Sequence, residues 1–301
     1  MKNNLILTAL LTMVAVSCLK TEPRQEAMDS DDAGRITFAA SDKNGFFQVL
    51  TKTDAVTSLP TFYASASTGT AGSETKVWDN VLFTYDNDRS LYAADKYWPR
   101  TDPSYHFRAS NVTMTFAAGD ATVSATNTLD VVCAYEPDPT FKEKNTLTFE
   151  HIFARIGDVT VTATGGYTIS DVTITLTPKV SGTYNIRTGS GQTNGTGWSS
   201  TTDGSVTTIC SRAAAIEPSA NYKQTNDVWL VPGSYTLTAS WTATKDDYTE
   251  TFTGKNAIVN LAAGKVNAIA ASIVGDATEI TFGVTLTAWG TNSIDVGTIS
   301  L

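Results

Sequence analysis

Charged and chemically reactive side chains are scarce in this sequence. Only 17% of its 301 residues are charged, and it contains two histidines and three cysteines. It has no HExxH, CxxC or GxSxG motif, the spacings typical of zinc hydrolases, thiol oxidoreductases and serine hydrolases. We therefore expect no enzyme activity, and we assign no catalytic residue, metal ligand or cofactor.

Basic residues are also few. The 21 lysines and arginines are outnumbered by 30 aspartates and glutamates, which gives a formal net charge of -9 and a pI near 4.7. A surface of this sign repels the phosphate groups of nucleic acids. No nucleic-acid partner is expected.

The amino-terminal apolar run is too short to span a membrane. It covers residues 5–16 without a charge, but a membrane-spanning helix needs about 20 residues. A short run behind a basic residue predicts a secretory signal peptide over residues 1–17.

The run leads into Ala15-Val16-Ser17-Cys18, which resembles a bacterial lipobox. Cleavage before Cys18 and acylation of its thiol would make Cys18 a lipid anchor. The alternative is ordinary signal cleavage near Ser17, which would release a secreted protein. Residues 18–34 are dense in charge and nearly devoid of β-branched and aromatic side chains, so we predict a lipidated, disordered tether.

The two other cysteines, Cys133 and Cys210, lie in short apolar runs typical of strands. They fall in what the sequence predicts to be separate domains. We expect buried free thiols rather than a disulfide.

Alternation of apolar and polar residues dominates from residue 35 onward. Such alternation predicts half-buried antiparallel strands, and hence an all-β fold of β-sandwiches. One short helix is expected at residues 211–217. The apolar members of the clearest strands are Val112, Met114 and Phe116; Val159, Val161 and Ala163; Val172, Ile174 and Leu176; Tyr235, Leu237, Ala239, Trp241 and Ala243; and Ile280, Phe282, Val284, Leu286 and Ala288.

A domain boundary is predicted at residues 135–145, where two prolines and a charge cluster interrupt the strand pattern. It divides the chain into an amino-terminal sandwich, residues 35–144, and a carboxy-terminal one, residues 145–301. Both lengths are ordinary for domains. The glycine-rich residues 189–198 lack the spacing of a phosphate-binding loop and are interpreted as a flexible connection between strands.

Polar side chains that suggest a site have simpler structural interpretations. His151 shares one strand face with Leu147, Phe149 and Phe153, so we expect it in a core or between domains. The acidic pair Asp86 and Asp88 is typical of a turn, because aspartates there accept hydrogen bonds from nearby backbone groups.

Several motifs together resemble the fimbrillin family, the subunits of type V pili in Gram-negative bacteria. They are the lipobox, Tyr97-Trp98-Pro99, the strand at residues 147–156, the turn Leu230-Val231-Pro232-Gly233 and Trp289. The resemblance implies two transthyretin-like β-sandwiches in tandem. It also implies a structural subunit of a fimbria at the cell outer membrane, whose partners are other fimbrial subunits and the membrane itself.

In that family, subunits lose their first strand to a protease and donate a carboxy-terminal strand to a neighbour. A sandwich that lacks one strand exposes unpaired backbone groups beside an apolar groove, which another chain can fill. The first strand here would be residues 35–41, with Ile36, Phe38 and Ala40 facing inward.

Three basic residues are candidates for the proteolytic processing that the resemblance implies: Arg35, Lys43 and Lys52. The family's protease is typically arginine-specific, whereas the loop after the first strand offers only the two lysines. A cut at Arg35, which precedes the strand, would leave the strand in place.

The carboxy-terminal residues 293–301 are the candidate donor strand. Ile294 and Val296 lie on one face of an extended chain, and Ile299 and Leu301 lie on the other. A half-buried strand would keep one parity, so this change fits either a bulged final strand or a donor tail.

A non-polymerising surface lipoprotein that binds a glycan or a host protein is the alternative function. Tryptophans stack on sugars, but these lie mostly in apolar runs that predict core packing. They are Trp98, Trp198, Trp229, Trp241 and Trp289. Pairing of residues 294–301 within their own domain would favour the alternative.

Overall fold

The computed structural model of the protein describes residues 34–42, 49–50, 55–56, 59–101, 104–117, 119–217, 220–223, 228–274, 279–288 and 298–300. Nearly all the regular structure in these ranges is β-strand, which confirms the all-β class. None of the helical residues in this part of the chain forms a segment long and apolar enough to cross a membrane.

The strands are numbered along the chain. The first eleven are β1 (Arg35–Asp42), β2 (Val49–Leu50), β3 (Ala55–Val56), β4 (Thr61–Thr68), β5 (Thr75–Asp86), β6 (Leu91–Tyr97), β7 (Tyr105–Ser110), β8 (Thr115–Ala117), β9 (Asp120–Thr126), β10 (Val132–Glu136) and β11 (Asn145–His151). The others are β12 (Ala154–Ala163), β13 (Thr168–Leu176), β14 (Lys179–Asn185), β15 (Trp198–Asp203), β16 (Thr207–Arg212), β17 (Trp229–Leu230), β18 (Gly233–Lys245), β19 (Tyr248–Leu261), β20 (Lys265–Val274), β21 (Glu279–Ala288) and β22 (Thr298–Ser300).

Seven strands close into a barrel in the order β1-β11-β10-β7-β4-β5-β6. Phenylalanines fill its core. The ring centroid of Phe38, on β1, lies 5.0 Å from those of Phe83 and Phe107 and 6.1 Å from that of Phe62. Since each buried side chain of this size stabilises the fold by roughly 1.5–3 kcal/mol, β1 is an integral part of the barrel.

The segment at residues 135–145 connects two neighbouring strands of this barrel. β10 and β11 pair across it, with Cys133 opposite Glu150. Leu147 and Phe149 of β11 are buried in the barrel core. β11, which the sequence pattern assigns to the start of the second domain, is therefore a barrel strand.

The carboxy-terminal half of the chain forms two facing sheets, β17-β12-β20-β21-β22 and β16-β13-β18-β19. Alternating side chains of the two sheets make one core. Ala163, a predicted inward position of β12, is half-buried. The other predicted inward positions of β12, β13 and β18 are confirmed as buried: Val159, Val161, Val172, Ile174, Leu176, Tyr235, Leu237, Ala239, Trp241 and Ala243.

A third sheet, β15-β14-β9-β8, joins strands from both halves of the chain. β14 pairs antiparallel with β9, and Tyr184 lies opposite Val123. Both side chains belong to a separate apolar cluster with Phe153 and Trp229. This cluster links the barrel to the carboxy-terminal sheets.

The single helix of the described chain, α1 (Ile186–Gly189), lies elsewhere than predicted. Its amino-terminal cap is Asn185, whose side chain accepts a hydrogen bond from the Thr188 amide at 2.9 Å. The helix expected at residues 211–217 was wrong, because Ser211 and Arg212 belong to β16 and pair with β13. Tertiary strand pairing overrides the helix propensity of the alanines that follow.

The glycine-rich residues 189–198 connect α1 to β15, and two hydrogen bonds hold them to other parts of the chain. The Gly191 amide donates to Glu150 Oε2 at 2.9 Å, and the Ala263 amide donates to the Thr193 carbonyl at 2.9 Å. A Cβ on Gly197 would lie 2.6 Å from the Gly189 Cα. Close backbone approach therefore explains Gly197.

Gly189→Ala should destabilise the protein by about 1–3 kcal/mol, the usual cost of overpacking. The added Cβ would meet ring atoms of Tyr184 at 2.3–2.4 Å, and Tyr184 is buried. Gly283→Ala is the control, because a Cβ there has no neighbour within 4 Å. Urea unfolding of both variants measures the difference, and equal stability of the two would contradict this packing.

Candidate functional site

β1 lies in a slot between two strands from distant parts of the chain. It runs antiparallel to β6 and parallel to β11, so that Phe38 has Tyr92 on one side and Asn145 on the other. The side chains of Ile36 and Phe38 are fully buried, and Ala40 packs against the same core. The predicted inward parity of the first strand is confirmed.

The chemistry of this slot suits an extended polypeptide. An empty slot would leave the facing edges of β6 and β11 without their backbone partner, beside the phenylalanine core. Unpaired strand edges over an apolar groove bind extended chains through main-chain hydrogen bonds, with pockets for alternate side chains.

Arg35 is anchored at the beginning of β1. Its Nη2 lies 2.8 Å from Asp95 Oδ1, and its Nε donates to the Ala94 carbonyl at 3.2 Å. Since Arg35 is the first residue of β1, cleavage after it would not remove the strand. Lys43 and Lys52, the two other candidates, lie outside the described residues.

The candidate donor strand is described only at residues 298–300, which form β22. This strand pairs antiparallel with β21 at the edge of its sheet, with Ile299 opposite Val284. Ile294, Val296 and Leu301 lie outside the described residues.

The tryptophans serve mainly as core residues. Trp98, Trp229 and Trp241 are buried, as predicted, and Trp98 stacks on Tyr105 with ring centroids 5.5 Å apart. Trp198 is half-buried and lies 5.1 Å from the Phe153 ring. Trp289 falls outside the described ranges.

A buried ionic cluster, absent from the sequence-based expectations, lies beside the barrel core. The guanidinium of Arg108, on β7, lies 2.6 Å from Glu74 Oε2, and neither side chain is exposed to solvent. Arg108 Nη1 also donates to Ser67 Oγ at 2.7 Å, and its charge lies 4.9 Å from the Tyr135 ring centroid. Because each charge has a close partner, the cluster is tolerated inside the protein.

The cluster continues into the third sheet through Asp120. Asp120 Oδ1 lies 3.5 Å from Arg108 Nε, and its Oδ2 lies 2.7 Å from Arg187 Nη2. Asn185 Nδ2 donates to the same carboxylate at 2.9 Å. The ionic cluster of Glu74, Arg108, Asp120 and Arg187 therefore ties the barrel to β9 and α1.

His151 and Asp130 form a second buried polar pair. His151 Nδ1 lies 2.9 Å from Asp130 Oδ2, with 2% and 0% of the two side chains exposed. This confirms the prediction of a satisfied buried histidine. The turn interpretation of Asp86 is also confirmed, since its Oδ1 accepts from the Asp88 amide at 3.0 Å.

Cys133 and Cys210 are buried free thiols, as predicted. Burial raises the pKa of Cys133 to about 12 and that of Cys210 to about 11. Because the thiolate is the nucleophile, both remain unreactive near neutral pH. No cluster of three or more histidine, cysteine, aspartate or glutamate side chains suited to a metal occurs in the described part of the chain.

Comparison with known protein families gives one clear match. The sequence model of the fimbrillin-like family matches residues 24–289, most of the chain. No curated protein matches the sequence.

One of two similar solved structures supports the fold. A fimbrial protein from Bacteroides vulgatus ATCC 8482 is 15% identical, with a TM-score of 0.50, and the match covers 84% of this chain and 99% of that one. A fimbrial assembly protein from Parabacteroides distasonis ATCC 8503 is 9% identical, with a TM-score of 0.38 over 84% of this chain and 94% of that one. At 15% identity, the likeness to the Bacteroides vulgatus protein concerns the fold alone.

Proposed function

Because this chain belongs to the fimbrillin-like family, we propose that it is a structural subunit of a cell-surface fimbria, exported as a lipoprotein and assembled by β-strand exchange. Family membership makes it a fimbrial or adhesion-type surface protein. The lipid anchor, the outer-membrane location and the exchange itself are the proposed steps.

The position of β1 is the observation that carries the proposal. A neighbouring subunit's strand in the same slot would pair with β6 and β11 and cover the core around Phe62, Phe83 and Phe107. Removal of β1 requires a cut beyond its end at Asp42, so Lys43 and Lys52 are the proposed processing residues.

Two transthyretin-like sandwiches in tandem are proposed for the fold. Two separate apolar cores support this arrangement. The buried residues of the first come from positions 36 to 149 of the sequence, and those of the second come from positions 154 to 284. Since β11 contributes to the first core, we place the boundary after His151 instead of before Asn145.

The proposed donor is the carboxy-terminal strand, with Ile294, Val296, Ile299 and Leu301 entering a neighbour's groove. Other fimbrial subunits are the partners. Cells that export the chain should then carry high-molecular-weight ladders that persist in denaturant. Monomer as the sole species on such gels would contradict polymerisation.

A non-polymerising surface adhesin for a glycan or a host protein is the second candidate. The pairing of β22 with β21 favours it, because this part of the tail is bonded within its own chain. In the described part of the chain this pairing involves residues 298–300, and the release of these three residues would cost few hydrogen bonds.

Replacing Cys18 with Ala should move the protein from the membrane fraction to the soluble fraction. The several acyl chains of a bacterial lipoprotein supply the attachment, at about 0.8 kcal/mol for each buried methylene group. Ser17→Gly, which keeps a small residue before Cys18, should stay membrane-bound. Fractionation and the mass of the amino-terminal peptide measure this. Membrane association of Cys18→Ala, with an unmodified Cys18 in the parent protein, would refute the anchor.

A further inference from the structure

The hairpin of β5 and β6 presents an exposed tyrosine in a fixed position. Tyr85 lies opposite Tyr92 in the strand pairing, and the two ring centroids are 5.0 Å apart. Tyr92 is itself buried, and its hydroxyl donates to the Leu59 carbonyl at 2.6 Å. The Tyr85 amide donates to the Pro60 carbonyl at 3.0 Å, yet 39% of the residue is exposed. A partly exposed aromatic ring is therefore held in place on this hairpin.

Tyr85 lies between two surface clefts. The larger, of about 680 Å³, includes the charged residues Arg35 and Asp95. The smaller, of about 540 Å³, runs from the end of β1 to the turn between β5 and β6. None of the described residues that line this smaller cleft is an aspartate, glutamate, lysine, arginine or histidine. Its volume is within the usual range for small-molecule sites.

Hydroxyl and amide groups surround the ring in the smaller cleft. Thr84 precedes Tyr85 on β5, and Asn87 and Ser90 lie in the turn that follows. All three are exposed. The turn is held by Asp86 Oδ1, which accepts from the Asp88 amide at 3.0 Å, so the polar groups are fixed relative to the ring.

We propose that this cleft binds a neutral saccharide. A sugar ring has an apolar face of C–H groups, which packs on an aromatic ring, and a rim of hydroxyls, which bond to amides and hydroxyls. The Tyr85 ring would contact the face, while Asn87 and Ser90 would bond to the rim. Because the tyrosine and the turn are already ordered, little conformational entropy is lost on binding. The described lining groups are neutral, so they offer no cation to pair with a sialylated or sulfated sugar.

The experiment uses residues 19–301, which lack the proposed signal peptide and the acylated Cys18 and retain β1, on an array of neutral oligosaccharides built from glucose, galactose, mannose and N-acetylglucosamine. Sialylated and sulfated versions are printed beside them. Calorimetry then measures the affinity for the strongest neutral probe. We expect binding to a neutral probe, weakened about ten-fold by Tyr85→Ala and by Asn87→Ala, and retained by Tyr85→Phe. Tyr248→Ala is the matched control, because that tyrosine is 48% exposed and lines neither cleft.

Three results would overturn the proposal: no neutral probe bound above background, a preference for the charged probes, or equal affinity in Asn87→Ala and the parent chain. Thermal unfolding of each variant accompanies the binding data. Should Tyr85→Ala fail to fold, Asn87→Ala decides alone, since its side chain is exposed in the turn.

Discussion

Arg108→Met is expected to destabilise the protein by about 3–5 kcal/mol, the cost of leaving a buried charge without its partner. Methionine retains much of the arginine's volume but removes the group that lies 2.6 Å from Glu74 and 3.5 Å from Asp120. Glu74 would keep the hydrogen bond from Ser67 Oγ to its Oε2, at 2.6 Å, but its charge would lack a cationic partner at a position that is closed to solvent. Urea unfolding measures the loss.

Two further variants separate the charge from the packing. Lys76→Met removes an exposed ion pair, since Lys76 lies 3.3 Å from Asp79 with 45% of its side chain exposed. Such pairs contribute about 0–1 kcal/mol. Arg108→Met combined with Glu74→Gln should recover part of the stability, because no unpaired charge remains. A stability of Arg108→Met equal to that of the parent would show that the ionic cluster does not hold the barrel to the third sheet.

Strands were predictable where one face is apolar and the other is polar. Val172, Ile174 and Leu176 alternate with threonines, and all three are buried as expected. The alternation specifies the buried face directly, because a shift of one residue would turn every side chain to the other side. Local pattern therefore sufficed for the class of fold and for the inward residues of β1.

Partners distant in sequence were not predictable. β1 and β11 pair in parallel although more than a hundred residues separate Phe38 from Asn145. The residue pattern of neither strand indicates which strand it pairs with. Prolines interrupt the strand pattern between β10 and β11. The same interruption occurs at the end of a domain and in the loop of a hairpin, so the pattern alone predicted a domain boundary before β11. Arg108 lies between Phe107 and Ala109 on β7, and these apolar neighbours are a local indication that its charge is buried. Its partners Glu74 and Asp120 come from other parts of the chain, so the sequence pattern could not identify them.

Truncation after residue 290 should abolish the polymer and leave a folded monomer. The cut removes Ile294, Val296, Ile299 and Leu301, and each buried aliphatic side chain contributes on the order of 1.5–3 kcal/mol to strand exchange. Within its own chain the described part of the tail, residues 298–300, pairs at the outer edge of β21, so we expect the loss of the tail to shift the melting temperature little. Denaturant-resistant ladders on cells and thermal unfolding of the purified protein measure the two effects.

The full-length double variant Thr298→Ala, Ser300→Ala is the matched control. It alters polar positions of the same segment and keeps the backbone pairing, so its ladders should persist. A sharp fall in the melting temperature of the truncated protein would identify the tail as an internal strand. Ladders that survive the truncation would exclude the tail as donor.

Intact-mass spectrometry of subunits recovered from the ladders tests strand exchange most directly. The account predicts a polymerised chain that begins after Lys43 or Lys52 and therefore lacks β1. A polymerised chain that still begins at an acylated Cys18 and retains residues 35–42 would contradict it, because the slot between β6 and β11 would then be filled by the subunit's own strand.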